Sequence, residues 1–190
     1  MKNGLKEGLK WTSLVLGAGV IFTLFLQAVT VELGYGSEIK LPQWTFNGFE
    51  IVFGASRMVE GFPLLGNSVD PECFVFNFPL FLAYIFPLFG GICCIAENRA
   101  KAVGWVSVGL FGAGALLTAL TAVLLPAGYG ELIRKALELS DKMTISLQIT
   151  VSAAWVLPFV LSLLGCGCAL AVKLSEKKER KNEEKNAENG

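Results

Sequence analysis

Five cysteines are the residues of this chain whose type and spacing come nearest to a chemical site. They are Cys73, Cys93, Cys94, Cys166 and Cys168. The last four form two close pairs, and two such pairs brought together could bind a soft metal such as zinc or copper, because these ions favour thiolate ligands. The pairs are spaced Cys-Cys and Cys-Gly-Cys, whereas zinc sites typically use Cys-x-x-Cys. Ordinary buried packing and acylation near the membrane surface are the other roles open to them. We predict no metal ion and no cofactor.

Other residue types that support catalysis are scarce. The chain has no histidine, which is the commonest general base and metal ligand. Its sequence carries no P-loop, dinucleotide-binding fingerprint, nucleophile–base arrangement or metalloprotease motif. Sixteen basic and sixteen acidic residues balance to a net charge of zero, whereas nucleic-acid-binding domains have a basic surplus. We predict that the protein is not an enzyme and binds no nucleic acid.

The distribution of charge predicts the elements that position these residues. Charged residues make up 17% of the chain, against about 25% in ordinary soluble domains. None of them lies in four long apolar stretches, at 11–31, 73–96, 102–130 and 143–172. Roughly 20 apolar residues of helix cross a hydrocarbon core of about 30 Å, and an isolated segment satisfies its backbone in lipid only as a helix. The predicted fold class is an all-α membrane protein, a four-helix transmembrane bundle with a small extracellular β-hairpin or sheet in its first outer loop. The first stretch is longer than a signal-peptide core, so we expect it to remain as a helix.

These stretches divide the chain into alternating spans and loops. The predicted segments are a cytoplasmic lead-in at 1–10, a first span at 11–31, an outer loop at 32–72, a second span at 73–96, an inner loop at 97–101, a third span at 102–126, a second outer loop with a short amphipathic helix at 127–145, a fourth span at 146–172 and a charged tail at 173–190. Eleven Lys and Arg residues fall on the side of the termini and five on the other. The positive-inside rule therefore predicts a multi-pass plasma-membrane protein with both termini in the cytoplasm. The tail is expected to be disordered or a frayed helical extension.

The first outer loop contains the clearest local motif. Asn47-Gly48 stands between two segments in which apolar residues alternate, and this dipeptide favours the type I′ turn of a β-hairpin. The pattern predicts a hairpin near 43–54 with one aromatic face and with Glu50 on its polar side. An isolated hairpin is marginally stable, so the aromatic face should pack on helix ends, further strands or a partner. The candidate interaction surface consists of Trp44, Phe46, Phe49, Glu50, Ile51 and Phe53.

Small and polar residues mark how the spans should pack. Small residues allow helices in lipid to approach closely, and the predicted packing positions are Gly17, Gly19, Gly109, Gly112 and Ala113. No ionisable residue lies inside the predicted spans, which disfavours proton relays and voltage sensors. Uncharged polar residues are expected to form interhelical hydrogen bonds, and lining a narrow path is the alternative. These residues are Gln27, Asn77, Thr118, Thr121, Gln148, Thr150 and Ser152.

Two resemblances follow from these patterns. The order of spans and the long first outer loop are similar to claudin-type tetraspan proteins, although the chain lacks their W-GLW-C-C motif. The segment 47–54, which reads NGFEIVFG, resembles the outer loop of uncharacterised four-span integral membrane proteins of low-GC Gram-positive bacteria. This second resemblance implies a bacterial plasma membrane and implies no activity.

The function expected from the sequence is non-enzymatic. We expect a structural or interaction protein in the lipid bilayer, acting through its outer loop and its small-residue helix faces. Its partner would be a second copy of the chain or another membrane or envelope protein. The alternative is a component for permeation or transport of a small solute or ion. A continuous polar path through the helices would favour this alternative.

Overall fold

The computed structural model describes residues 3–35, 39–56, 72–96, 102–136 and 145–188. The helices are α1 (Asn3–Phe22), α2 (Gly48–Phe53), α3 (Phe78–Ala96), α4 (Val103–Ala136) and α5 (Val156–Glu188), with 3-10 turns at Thr23–Phe25 and Ala153–Trp155. The strands are β1 (Gln27–Tyr35), β2 (Ile39–Asn47), β3 (Ala55–Ser56), β4 (Glu72–Phe74) and β5 (Ile145–Val151). The chain divides into two compact units. The helical unit comprises Met1–Ile21, Leu82–Leu117 and Pro158–Gly190, and the loop unit comprises Phe22–Phe81 and Thr118–Leu157.

Four helical segments are long and apolar enough to cross a membrane. They are Gly4–Phe25, Phe78–Ala96, Val103–Pro126 and Ala153–Lys178. Together with a three-stranded antiparallel sheet, they confirm the predicted fold class of four apolar helices and a small sheet. Such an architecture is compatible with an integral membrane protein that crosses the bilayer several times.

Buried residues recur along each long helix at alternating intervals of three and four. In α4 the buried positions include 104, 107, 111, 114, 118, 121 and 125, and from the 3-10 turn into α5 they include 155, 158, 162, 165, 169 and 172. An average spacing of 3.5 residues is typical of helices that pack side by side in left-handed bundles. Glycine, serine, alanine and threonine are frequent at these positions, whereas large apolar side chains such as Val15, Leu116 and Leu164 are exposed. Small residues inside and large apolar residues outside are the arrangement expected of helices surrounded by lipid.

Within the helical unit, each helix packs against the one before it and the one after it. α1 contacts α3, α3 contacts α4, α4 contacts α5, and α5 contacts α1. The contacts that identify these pairs are Gly91 with Leu14, Ser107 with Gly90, Cys166 with Val108, and Gly19 with Leu161. As the residue number rises on one helix of a pair it falls on the other, so neighbouring helices are antiparallel.

The loop unit is organised around β1. The sheet has the order β2-β1-β5, and β1 is antiparallel to both neighbours. Thr30 pairs with Thr45 on one side and Thr150 on the other, and Val31 pairs in the same way with Trp44 and Ile149. Because side chains alternate between the faces of a sheet, this register places polar residues on one face and apolar residues on the other.

Several predicted span boundaries are wrong, and two of them are wrong for the same physical reason. The segment 27–31 was assigned to the first span and 146–151 to the fourth, but they belong to β1 and β5. Apolar and polar residues alternate at 29–33 and at 145–151, which is the period of a half-buried strand rather than of a helix. The second span was also set too early, since β4 ends at Phe74 and α3 begins at Phe78.

The two chain segments predicted as short or frayed helices continue the spans. α4 runs past Pro126 to Ala136, so the first part of the predicted amphipathic helix extends the third span, and the remainder, at 137–141, lies outside the described residues. α5 continues through the charged tail to Glu188. Of the two alternatives for the tail, the structure therefore shows the helical extension.

The predicted hairpin near 43–54 is wrong, although a different hairpin exists. β2 pairs with β1, and Asn47-Gly48 begins helix α2 instead of forming a turn between two strands. Asn47 has φ −85° and is the N-cap of α2, while the positive φ lies at Gly54, at 97°. The sequence Asn-x-x-Glu supplies both halves of a capping box. This local signal outweighs the Asn-Gly turn preference.

Candidate functional site

The predicted interaction surface is divided between the core and the exterior of the loop unit. Phe46 and Ile51 are fully buried, whereas Phe49 and Phe53 are 46% and 45% exposed. Trp44 and Glu50 are half-buried. The six residues do not share a face because Trp44 and Phe46 follow the two-residue period of β2, whereas the other four follow the 3.6-residue period of α2.

Glu50 has a structural role that the hairpin interpretation missed. The Asn47 backbone N–H donates to Glu50 Oε2 at 2.9 Å, and the Glu50 backbone N–H donates to Asn47 Oδ1 at 2.8 Å. At the other end of α2, the Gly54 N–H donates to the Glu50 carbonyl at 2.9 Å. Glu50 is thus the capping residue of a short helix, and its expected place on the polar side of a hairpin is wrong.

Phenylalanines on the exterior of α2 join others from neighbouring segments. We define the aromatic cluster as Phe25, Phe49, Phe53, Phe76, Phe78 and Phe81. Each ring of the cluster contacts at least one other. The distances between ring centroids are 6.3 Å for Phe25–Phe49, 4.5 Å for Phe49–Phe53, 6.1 Å for Phe53–Phe76, 6.0 Å for Phe53–Phe81, 5.9 Å for Phe76–Phe81 and 6.4 Å for Phe76–Phe78. Ring pairs at these separations lie within the range of favourable aromatic contacts.

The sheet presents a second surface of opposite character. We define the polar sheet face as Thr30, Glu32, Gln43, Thr45, Gln148 and Thr150, which the strand register places side by side. All of these except Thr30 are exposed. Gln43 Nε2 donates to a carboxylate oxygen of Glu32 at 2.9 Å, which ties β2 to β1. On the opposite face, Val29, Val31 and Phe46 are fully buried.

Within the helical unit, Phe111 fills the space between α3, α4 and α5. Its side chain is fully buried, and a Cβ placed at Gly90 would lie 2.9 Å from the ring. A Cβ placed at Gly165 would overlap the opposite edge of the ring. Both glycines are therefore required to leave room for Phe111, and α3, α4 and α5 meet around this one side chain.

Close backbone packing also surrounds Pro87 in α3. A Cβ at Gly114 would lie 2.6 Å from Pro87 Cγ, and a Cβ at Gly17 would overlap the Pro87 carbonyl oxygen. The absence of a side chain at Gly17 and Gly114 thus lets α1 and α4 approach α3 at the proline. Proline removes one helix hydrogen bond, and the two glycines leave room for its ring and its carbonyl oxygen.

The other glycines predicted to pack have different environments. A Cβ at Gly19 would make an ordinary 3.6 Å contact with Leu161, whereas a Cβ at Gly109 or Gly112 would meet no atom within 4 Å. Among the described residues, the space that a side chain at Gly109 or Gly112 would enter is therefore open, and Ala113 is half-buried. The sequence interpretation missed the packing glycines at Gly90, Gly91, Gly114 and Gly165. The spacing of three and four residues would have found several of them.

Several polar residues predicted to lie inside the spans belong to the loop unit. Gln27, Gln148 and Thr150 lie in strands, as their pairing shows. Asn77 caps α3, because its side-chain oxygen accepts from the Leu80 N–H at 3.0 Å. Other hydroxyl groups bond to helix carbonyls, as in Ser107 to Gly90 at 2.6 Å, Ser13 to Leu9 at 3.0 Å and Ser162 to Pro158 at 2.7 Å.

A group of ionic residues joins α1 to α5 in the helical unit. Lys6 Nζ lies 2.6 Å from a carboxylate oxygen of Glu176, and Lys173 Nζ lies 3.6 Å from the other. Lys10, which is 1% exposed, lies 3.5 Å from Glu7. The sequence interpretation assigned Lys6 and Lys10 only to a lead-in. Lys10 nevertheless continues the buried stripe that includes Ser13, Gly17 and Val20, at the same spacing of three and four residues.

The cysteines with described side chains lie among the helices. Cys94 is in a core cluster with Phe111, Ala169 and Val172, and Cys166 packs against that cluster. Cys166 also donates a weak hydrogen bond to the Val108 carbonyl at 3.7 Å. Among the described residues, no three Cys, Asp or Glu side chains are placed to hold a metal ion. The side chain of Cys73 lies outside the described set.

Comparison with known proteins places the chain in no family. It matches no protein-family model, and no curated protein sequence matches it. The geometry of the chain itself is therefore the evidence for its function.

Proposed function

We propose that the chain is a non-enzymatic structural or interaction protein of a plasma membrane, with four crossings and both termini in the cytoplasm. Four helices of sufficient length and apolarity support the membrane assignment. The excess of Lys and Arg near the termini supports the orientation. The sheet then lies on the outer side of the membrane.

The observation that carries this proposal is the close helix packing around Phe111 and Pro87, in contrast to the exposed polar face of the sheet. Phe111 fills the space between Gly90 and Gly165, and glycines pack against Pro87. Hydroxyl groups such as that of Ser107 donate to backbone carbonyls. In these contacts, side chains between the helices pack against other helices or bond to their backbone. This arrangement favours a structural role over a permeation path through a single chain.

The polar sheet face is the surface we assign to a protein partner. Its exposed residues carry amide, hydroxyl and carboxylate groups, and three paired strands hold them in a fixed arrangement. Polar side chains on a rigid element can form directed hydrogen bonds with little loss of conformational entropy. The partner is a second copy of the chain or another membrane or envelope protein.

Photocrosslinking from the sheet tests this assignment. A photoreactive amino acid at Thr45 should capture one discrete partner in cells, identified by mass spectrometry, and two differently tagged copies of the chain would reveal self-association. A matched probe at Phe22, which is 72% exposed on α1, should not capture that partner. Equal capture from both positions, or none from Thr45, would contradict the assignment.

A flux measurement tests the rejected alternative. Liposomes that contain the purified chain should retain small entrapped solutes and ions as well as empty liposomes do. Reproducible flux well above that of empty liposomes would show that the reconstituted chain conducts. That result would overturn the structural role.

A further inference from the structure

The aromatic cluster is an apolar surface for which the proposed partner of the sheet gives no explanation. Five of its six side chains, those of Phe25, Phe49, Phe53, Phe76 and Phe78, are between 45% and 65% exposed. Contiguous apolar area of this kind is unfavourable in water and uncommon on the surface of soluble proteins. Some apolar medium or partner should therefore cover it.

The position of the cluster along the chain indicates which medium that is. Phe25 is the last residue of one candidate span and Phe78 is the first residue of the next. The ring of Phe49 stacks on Phe25 with an interplanar angle of 10°. Phe22, one turn before Phe25, is itself 72% exposed. The cluster therefore contains exposed apolar side chains from the ends of two candidate spans.

The backbone of α2 is suited to a place with little water. In lipid, polar backbone groups must find partners within the protein. The first turn of α2 is closed by the capping box, and the Gly48 N–H donates to the Leu26 carbonyl at 3.3 Å. Near the end of α2, the Val52 carbonyl accepts from the Asn77 N–H at 2.8 Å. The single charged side chain of α2, Glu50, accepts a hydrogen bond from the N-cap.

We propose that the aromatic cluster, with the outer side of α2, is immersed in the acyl chains of one leaflet just beneath the lipid headgroups. The occupant of this surface is lipid rather than a protein partner. A segment that the sequence places in an aqueous loop thus acts as an interfacial anchor. It would hold the sheet at a fixed height above the bilayer. The inference rests on the membrane assignment and is independent of the partner proposed for the polar sheet face.

Photolabelling from the lipid tests this proposal on the native chain. The protein is reconstituted in phosphatidylcholine vesicles that contain a phosphatidylcholine with a diazirine on its acyl chain, and labelled peptides are mapped by mass spectrometry. We expect labelling at 48–53 to exceed labelling at 43–46 several-fold. Leu116, which is 60% exposed on α4, serves as the positive control within a span.

Two outcomes would overturn the proposal in distinguishable ways. Strong labelling at Leu116 with no excess at 48–53 would show that α2 lies outside the acyl chains, and crosslinks between two chains at Phe53 would then identify a second copy as the cover. Absence of labelling at both places would show that the membrane assignment itself fails, and the proposed function would fail with it.

A pair of substitutions provides an independent readout. Phe53→Asp places a short charged side chain at the centre of the cluster, where it cannot reach the headgroups as a lysine could. We expect it to reduce lipid labelling at 48–53 several-fold, whereas Thr45→Asp on the polar sheet face should leave that labelling unchanged. Unchanged labelling in Phe53→Asp would overturn the proposal.

Discussion

At the scale of single residues, Glu50 illustrates how a side chain can serve the backbone rather than a partner. Its carboxylate accepts from the Asn47 N–H, and its own N–H donates to the Asn47 side chain. Loss of a helix cap typically costs about 1 kcal/mol. Glu50 therefore stabilises α2, the helix that carries Phe49 and Phe53 of the aromatic cluster.

Substitution of Glu50 should lower the local stability of α2. Glu50→Ala should raise the hydrogen-exchange rate of the amides at 48–53 about five-fold, as a loss of about 1 kcal/mol implies. Glu50→Gln keeps an acceptor oxygen and should have a smaller effect. Glu32→Ala, at an exposed acid of the sheet, is the control. Equal exchange at 48–53 in Glu50→Ala and Glu32→Ala would show that the capping box contributes nothing.

At the scale of elements, the absence of charge identifies four apolar segments. The period at which apolar residues recur determines which parts of these segments form helices and which form strands. Charge counting alone assigns the residues around Thr30 and Gln148 to the spans, although the alternation of apolar and polar residues at 29–33 and 145–151 is typical of strands. The pairing of β1 with β5 joins residues more than 100 positions apart. No local pattern predicts such a pairing. The hairpin prediction from Asn47-Gly48 is wrong for another reason. This dipeptide is compatible with a turn and with a helix N-terminus, and only Glu50, which completes the capping box, distinguishes the two.

The packing of α5 on α4 offers an element-scale prediction with a matched control. Gly165→Ala should destabilise the helical unit by about 1–3 kcal/mol, because the added methyl group overlaps the Phe111 ring in a closed core. Gly167→Ala, on the same helix, places a methyl group where no atom lies within 4 Å. It should be neutral or stabilise α5 by up to about 1 kcal/mol through higher helix propensity. Unfolding in detergent micelles would measure both. Equal free energies of unfolding for Gly165→Ala and Gly167→Ala would show that the Phe111 ring leaves room for a methyl group at position 165.

At the scale of the whole molecule, the sheet constrains how the chain is threaded. β1 follows the first span and β5 precedes the fourth, and the two strands pair directly. They must therefore lie on the same side of the membrane, which requires an even number of crossings between them. α3 and α4 supply two. This pairing agrees with the four crossings that we propose, and the proposed orientation rests on the distribution of Lys and Arg.

Compartment reporters would test this topology. A reporter that fluoresces only in the cytoplasm should be bright at either terminus and dark when inserted at 137–144. Bright signal at one terminus and none at the other would require an odd number of crossings. That result would contradict the proposed four crossings and the proposed orientation of the termini.

The ion pair between Lys6 and Glu176 allows a test of whether this ionic contact stabilises the packing of α1 against α5. Their polar atoms are 2.6 Å apart, and the side chains are 17% and 15% exposed. Lys6→Glu and Glu176→Lys should each lower the melting temperature, since each places like charges together. The double variant should recover only part of the loss, because Lys173 also lies 3.6 Å from Glu176 and would then face a lysine.

The coupling energy between Lys6 and Glu176 should be about 1 kcal/mol, given the partial exposure of the pair. It should decrease in 1 M salt, where the screening length is about 3 Å. Lys178→Glu, at an exposed position of α5, is the control. Additive effects of the two reversals would show that the ends of α1 and α5 are held by apolar packing instead.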